Sequence, residues 1–85
     1  MKSFKFTVKD PQGLHARPAG VLVKAAKEFN SKITVVKDEK EADAKRVLNL
    51  MALGIKCGTE ITVNVEGEDE EKAAETLEKF FNENL

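Results

Sequence analysis

The chain contains one histidine, within the stretch Gly13-Leu14-His15-Ala16-Arg17-Pro18-Ala19-Gly20. Pro18 has no amide hydrogen, so a helix tolerates it only in its first turn. The residue before a proline is biased away from helical angles, so the spacing predicts a helix starting near Arg17 or Pro18. His15 then stands just ahead of backbone N–H groups that have no helical acceptor. Those donors and the positive end of the helix dipole make an anion site. Arg17 adds a guanidinium fork suited to phosphate. Gly13 permits a tight backbone approach, and Ala16, Ala19 and Gly20 keep bulk away. A ring nitrogen placed there can become a phosphoramidate, with amides and a guanidinium receiving its charge. The same dipole disfavours a protonated ring and leaves a nitrogen free as a nucleophile. The bland alternative is a loop histidine near a helix start, with no chemistry of its own.

Other chemistries find little support. With a single histidine and a single cysteine, Cys57, no zinc ligand set and no internal disulfide can be assembled. Cys57 is expected to be a small, half-buried residue in a strand or turn. Neither G-x-x-x-x-G-K-[ST] nor G-x-G-x-x-G occurs, so Gly54 and Gly58 flank a turn and do not cradle a nucleotide. The spacing signals of a serine-histidine-carboxylate acyl-transfer site are also missing. A formal net charge of -1 predicts no general attraction to nucleic acid or acidic lipid. No run approaches the roughly 20 apolar residues of a membrane span, and MKSFKFTVKD lacks a signal-peptide core. A cytosolic protein is expected. Eighty-five residues suit one domain, residues 1–85, with a modest core.

The elements that must position His15 follow from periodicity. Phe4, Phe6 and Val8 alternate with polar neighbours, predicting a strand with one wet face. Asp10-Pro11-Gln12-Gly13 is a loop. Ala19, Leu22, Ala26 and Phe29 recur at helical spacing. Ile33 and Val35 predict a second strand, Lys37 to Lys40 a polar reversal, and Glu41 to Ala44 a third strand. Val47 to Leu53 predicts a short helix ended by Gly54. Ile61, Val63 and Val65 make the clearest strand. Ala73, Leu77, Phe80 and Phe81 stripe a last helix, with Asp69, Glu70 and Glu71 suited to its N-terminal dipole end. The order β-α-β-β-α-β-α indicates an α+β fold, an antiparallel sheet carrying helices on one side. It fits a ferredoxin-like split β-α-β arrangement as well, because periodicity does not choose strand order.

Gly13 to Ala19 resembles the active-site signature of the HPr family, the histidine phosphocarriers of the bacterial sugar phosphotransferase system. The likeness continues through Met51-Ala52-Leu53-Gly54-Ile55, Gly58-Thr59-Glu60-Ile61 and Glu66-Gly67 before an acidic helix start. It implies an open-faced β-sandwich, a four-stranded antiparallel sheet of order 1-4-2-3 with three helices on one face. It implies that His15 takes a phosphoryl group on Nδ1 from Enzyme I, which phosphoenolpyruvate charges, and passes it to sugar-specific IIA domains. Arg17 assists, and Gln12, Ala16, Arg17 and Pro18 surround the phosphate. Such a protein is a carrier rather than an enzyme, expected as a monomer without cofactor or metal. Three positions depart from the family pattern. Gln12 stands where asparagine or serine is common, Asn49 replaces a glycine, and Arg46 occupies the place of a regulatory serine.

A partner surface also emerges from the residues. On a helical wheel Leu50 and Leu53 share one face, while Leu48, Met51 and Ala52 point elsewhere. A two-turn helix apolar all round is expected to present a contact face in so small a domain. Arg17, Gly20, Lys24 and Lys27 recur at three- and four-residue spacing, a basic stripe along the first helix. An apolar patch with a basic rim suits brief docking to acidic partners. In HPr-like proteins, residues matching Val47, Leu48 and Met51 form such a patch. Two other functions stay open: a regulatory HPr-like paralogue acting on a transcription factor or kinase subunit, and a small-molecule-sensing ferredoxin-like module in which His15 is incidental.

Overall fold

Alternating apolar and polar side chains build the sheet. In the computed structural model, which describes Met1–Leu85, the strands are β1 (Lys2–Thr7), β2 (Lys32–Lys37), β3 (Lys40–Asp43) and β4 (Glu60–Glu66). The helices are α1 (Ala16–Ala26), α2 (Val47–Ala52) and α3 (Glu70–Asn84). The strands form one four-stranded antiparallel sheet in the order β1-β4-β2-β3. The last strand therefore separates β1 from β2 and places β1 at an edge. This is the order that the family resemblance implies and that periodicity left open.

Register assigns each side chain its face. Phe4, Val63, Val35 and Ala42 align across the four strands and make one apolar row. Ser3, Asn64, Thr34 and Asp43 make the adjacent row on the opposite face, where Ser3 Oγ donates to Asn64 Oδ1 at 2.8 Å. Because side chains alternate along a strand, a one-residue slip would exchange these faces. The helices cover the apolar face. α3 packs on β1 and β4, α1 packs on α2 and α3, and α2 also touches β3. Phe81 of α3 is wholly buried and meets Phe4, Phe6 and Phe80 with ring centroids 6.0, 5.3 and 5.8 Å away. Full burial of such a ring contributes about 1.5–3 kcal/mol.

Several boundaries differ from the sequence reading. Val8 is buried but lies beyond β1, where it exchanges backbone bonds with Gly58 and Thr59. β3 begins one residue before the expected Glu41 and ends before Ala44, whose N–H still donates to Ile33 O. Phe29 lies past the end of α1 in a tighter turn, where the Glu28 and Phe29 amides donate to Ala25 and Ala26 three residues back. Lys45 Nζ donates to Phe29 O at 2.8 Å and Lys37 Nζ to Leu53 O and Gly54 O at 3.1 Å, so lysines from elsewhere satisfy carbonyls just beyond α1 and α2. Cys57, expected half-buried, is exposed, because the turn around Gly58 carries it outward. Its Sγ lies 3.6 Å from Lys9 O.

Candidate functional site

His15 is the N-cap residue of α1, with the extended dihedrals φ -99° and ψ -175°. Its carbonyl accepts the first helical bond, from Ala19 N–H at 3.0 Å. Its imidazole makes no capping bond, so the ring is not spent on holding the helix start. Ala16, Arg17 and Pro18 occupy the first turn. The sequence reading placed the start near Arg17 or Pro18; the structure starts α1 at Ala16, and Pro18 is its third residue. Extended backbone at His15 makes this compatible with the proline, since Pro18 at that depth sacrifices no helical bond. The amides of Ala16 and Arg17 donate to no backbone acceptor.

The loop before α1 is pinned from below. Leu14 is buried, and its N–H donates to Ile55 O at 3.0 Å. Gly13 has φ +67°, and a Cβ there would lie 2.6 Å from Lys56 Cα. Gly13 N–H donates to Asp10 O at 2.8 Å, and Asp10 Oδ1 accepts from Gln12 N–H at 2.8 Å. His15 is thus carried on a short, hydrogen-bonded loop seated on residues 55 and 56.

A shallow cavity of about 270 Å³ opens beside the ring, lined by Asp10, His15, Arg17, Pro18, Val21, Phe80 and Asn84. It brings together His15 and Arg17 as the residue spacing suggested. Arg17 is exposed and takes part in neither ion pair of the structure, Met1 with Glu70 and Lys2 with Glu71. Ala16 is exposed at the first helical position, and Pro18 is buried beneath the cavity edge. Gln12 is exposed but does not line the cavity. Ala19, read as a small residue sparing the site, packs wholly into the core. Asp10, Phe80 and Asn84 were not foreseen at this place. They come from the preceding loop and from the far end of the chain, and only the sheet order brings α3 there.

The surface beyond the cavity matches the expected pattern of exposure. Leu50 and Leu53 are buried at 0% and 5% exposure, whereas Leu48 is 83% and Met51 39% exposed. Val47 is half-buried, and Gly20, Lys24 and Lys27 are all exposed along α1. A groove of about 490 Å³ runs between the two helices, lined by Val23, Lys27, Lys45, Arg46, Val47, Leu48 and Asn49. No group of acidic, histidine or cysteine side chains is arranged to hold a metal ion, and no helix is long and apolar enough to cross a membrane.

An open-faced sandwich presenting a histidine at a helix N-cap beside an arginine has the form of a small phosphocarrier protein. A family model described as the PTS HPr component phosphorylation site matches residues 2–83. The phosphocarrier protein HPr of Lysinibacillus sphaericus is 48% identical over 83 residues, covering 98% of this chain and 94% of that one. The solved histidine-containing phosphocarrier protein of Mycoplasma superposes with a TM-score of 0.91 at 42% identity, covering 93% of this chain and 90% of that one. The crystal structure of Crh from Bacillus subtilis, a dimer with a swapped domain, gives a TM-score of 0.79 at 39% identity over 100% of this chain and 98% of that one. The chain belongs to the HPr family, the phosphocarrier proteins of the phosphotransferase system.

Proposed function

We propose that His15 accepts a phosphoryl group from phosphorylated Enzyme I and passes it to IIA domains of sugar permeases. One observation carries this reading: His15 caps α1 without spending its ring on the cap, while two free amides and the Arg17 guanidinium adjoin it. In the transfer, the lone pair of His15 Nδ1 forms the new N–P bond. The donor's N–P bond breaks, and its electron pair returns to the donor ring. The charge on the phosphoryl oxygens rises nearest the Ala16 and Arg17 amides, which point along the helix dipole toward it. Arg17 contributes a charge-assisted fork. Donor and acceptor bonds are alike, so the protein supplies position and electrostatics and returns unchanged after each cycle.

Docking is proposed through Val47, Leu48 and Met51, with Gly20, Lys24 and Lys27 on the rim. The exposed Leu48 and Met51 would bury apolar area against the partner, and the lysines would steer an acidic surface. The working form is proposed to be a cytosolic monomer, to be checked by light scattering, since the similar Crh structure is a dimer. Incubation with phosphoenolpyruvate and Enzyme I is the decisive experiment. An acid-labile, base-stable phosphate should appear on wild type and vanish in His15→Ala with the far-ultraviolet circular dichroism intact. Equal labelling of His15→Ala would end the assignment.

The similarity to Crh supports a second reading, a regulatory paralogue whose acceptor is a transcription factor or kinase subunit. A reconstituted panel of IIA domains and regulatory acceptors separates the two, because the transport carrier must discharge to a IIA domain.

A further inference from the structure

We propose that Asp10 sets the transfer potential of the phosphoryl group on His15, an inference that rests on the histidine relay proposed above. Asp10 is the only acidic side chain lining the cavity that His15 and Arg17 share. From α3 the cavity receives Phe80 and Asn84, whose side chains are uncharged, and Asn84 Nδ2 donates to Phe80 O at 3.0 Å.

Asp10 is also held in place. Its N–H donates to Leu85 O at 2.8 Å, its carbonyl accepts from Gly13 N–H at 2.8 Å, and its Oδ1 accepts from Gln12 N–H at 2.8 Å. Those bonds leave Oδ2 without a protein partner, and no ion pair joins Asp10 to Arg17. A negative charge is therefore fixed at the rim of the cavity and is not neutralised there.

A phosphoryl group on a ring nitrogen brings further negative charge into the same space. Asp10 acts against it by direct repulsion, which raises the free energy of the phosphorylated form over the unphosphorylated one. The bond exchange is unchanged: one N–P bond forms at His15 as the donor's breaks, with no net proton. Asp10 alters only the balance, favouring discharge onward over retention. A residue acting this way needs no contact with the reacting atoms, only a fixed charge close enough to be felt through surface water. An interaction between charges across such a cavity corresponds to roughly a three- to tenfold change in the exchange equilibrium.

Asp10→Asn is the informative variant, since its amide oxygen keeps the acceptor for Gln12 N–H while the charge is lost. Wild type, Asp10→Asn and Asp10→Glu are equilibrated with Enzyme I at a fixed ratio of phosphoenolpyruvate to pyruvate. The phosphorylated fraction is read by intact mass. At about 50 mM salt, Asp10→Asn should show a three- to tenfold higher phosphorylated-to-free ratio, with Asp10→Glu near wild type. At about 500 mM salt the gap should contract, because an exposed charge is screened. A merely structural role for the turn would give a shift indifferent to salt. Phosphoramidate, which loads histidine without Enzyme I, provides a second arm: the phosphorylated Asp10→Asn protein should outlive wild type at low salt. Equal ratios and equal lifetimes, or a gap unaffected by salt, would overturn the role of Asp10. A wild-type protein that takes phosphoryl from phosphoramidate but never from Enzyme I would overturn the relay, while the lifetime comparison still decides on Asp10.

Discussion

Gly13 packs against the Ile55 carbonyl so closely that no side chain fits between them. The contact, with the bond from Leu14 N–H to Ile55 O, fixes the height at which His15 leaves the loop. Gly13→Ala must therefore move backbone and also hold alanine at φ +67°, a region costing about 1–2 kcal/mol for a residue with a Cβ. The loss of stability in urea should exceed that figure. Phosphoryl acceptance should fall further than the folded fraction explains. Transfer rates at matched folded concentration check this, and an undiminished rate would remove the loop height from the mechanism.

Arg17 separates chemistry from folding. It is exposed and unpaired, so Arg17→Ala should change stability by no more than about 0.5 kcal/mol. Loss of a charge-assisted contact to phosphate should slow transfer about tenfold or more. Rapid-quench rates beside a urea titration test the contrast. Equal rates in wild type and Arg17→Ala would exclude the guanidinium from phosphate binding.

Sequence and structure agree where signals are local. Ile61, Val63 and Val65 alternate and are buried, and the Gly-x-His-x-Arg-Pro spacing put the helix start just after His15, slightly late of its position at Ala16. The strand order was legible only through family resemblance, because alternation reports a face and never a neighbour. Asp69 shows the same limit. It was read as an acid suited to the dipole of α3. It is the N-cap of that helix, yet its carboxylate makes no capping bond and instead ties down residues 30 and 31. Those partners lie 39 and 38 residues back, beyond any local period. The cavity residues Phe80 and Asn84 escaped for the same reason, whereas Asp10 lay only five positions before His15 and carried no pattern to mark it.

The docking surface can be tested without risk to the fold. Leu48 is 83% exposed, so Leu48→Asp should leave the urea midpoint nearly unchanged. If the patch meets Enzyme I, the new charge is buried unpaired in the complex, and affinity should drop at least tenfold. Met51→Asp should act in the same direction. Calorimetric titration giving wild-type affinity for both variants would place the interface elsewhere.

Asp69 predicts an acid-sensitive element. Hydrogen bonds from the Ser31 hydroxyl and from the Asn30 and Ser31 amides hold its carboxyl below the usual aspartate range. A carboxylate lowered in the folded state contributes stability that is present above its unfolded value. That contribution is lost as pH falls through the folded one. Asp69→Asn should lower the urea midpoint at pH 7, because its amide would present donors to donors. It should also flatten the decline of stability below the ordinary aspartate range. Glu70, lowered by its contact with the amino terminus, leaves part of the slope in place. Identical pH profiles for wild type and Asp69→Asn would show that the network carries no linkage.

Arg46 predicts the loss of a switch. The family resemblance implies that many HPr-like proteins carry a serine at this place, which a dedicated kinase phosphorylates. No serine or threonine occurs between Lys37 and Gly58, so the segment offers no hydroxyl to that kinase. Arg46 is the exposed N-cap of α2, without a side-chain capping bond, and it lines the groove between α1 and α2 with Lys27 and Lys45. Phosphoserine would add negative charge beside the apolar patch, whereas arginine keeps the rim positive. Treatment with ATP and the serine kinase should therefore leave residues 37–58 unmodified, and a phosphate mapped there by mass spectrometry would contradict the reading. A cation at a helix N-terminus costs about 0.3–1 kcal/mol, and serine caps where arginine does not. Arg46→Ser should thus raise stability by up to about 1 kcal/mol and restore a candidate acceptor. Because Asn49 also departs from the family's glycine, the kinase should modify Arg46→Ser more slowly than a serine-bearing relative. Loading of His15 by phosphoramidate, which needs no docking, should match wild type in the same variant, since residue 46 lies outside the cavity that holds the histidine.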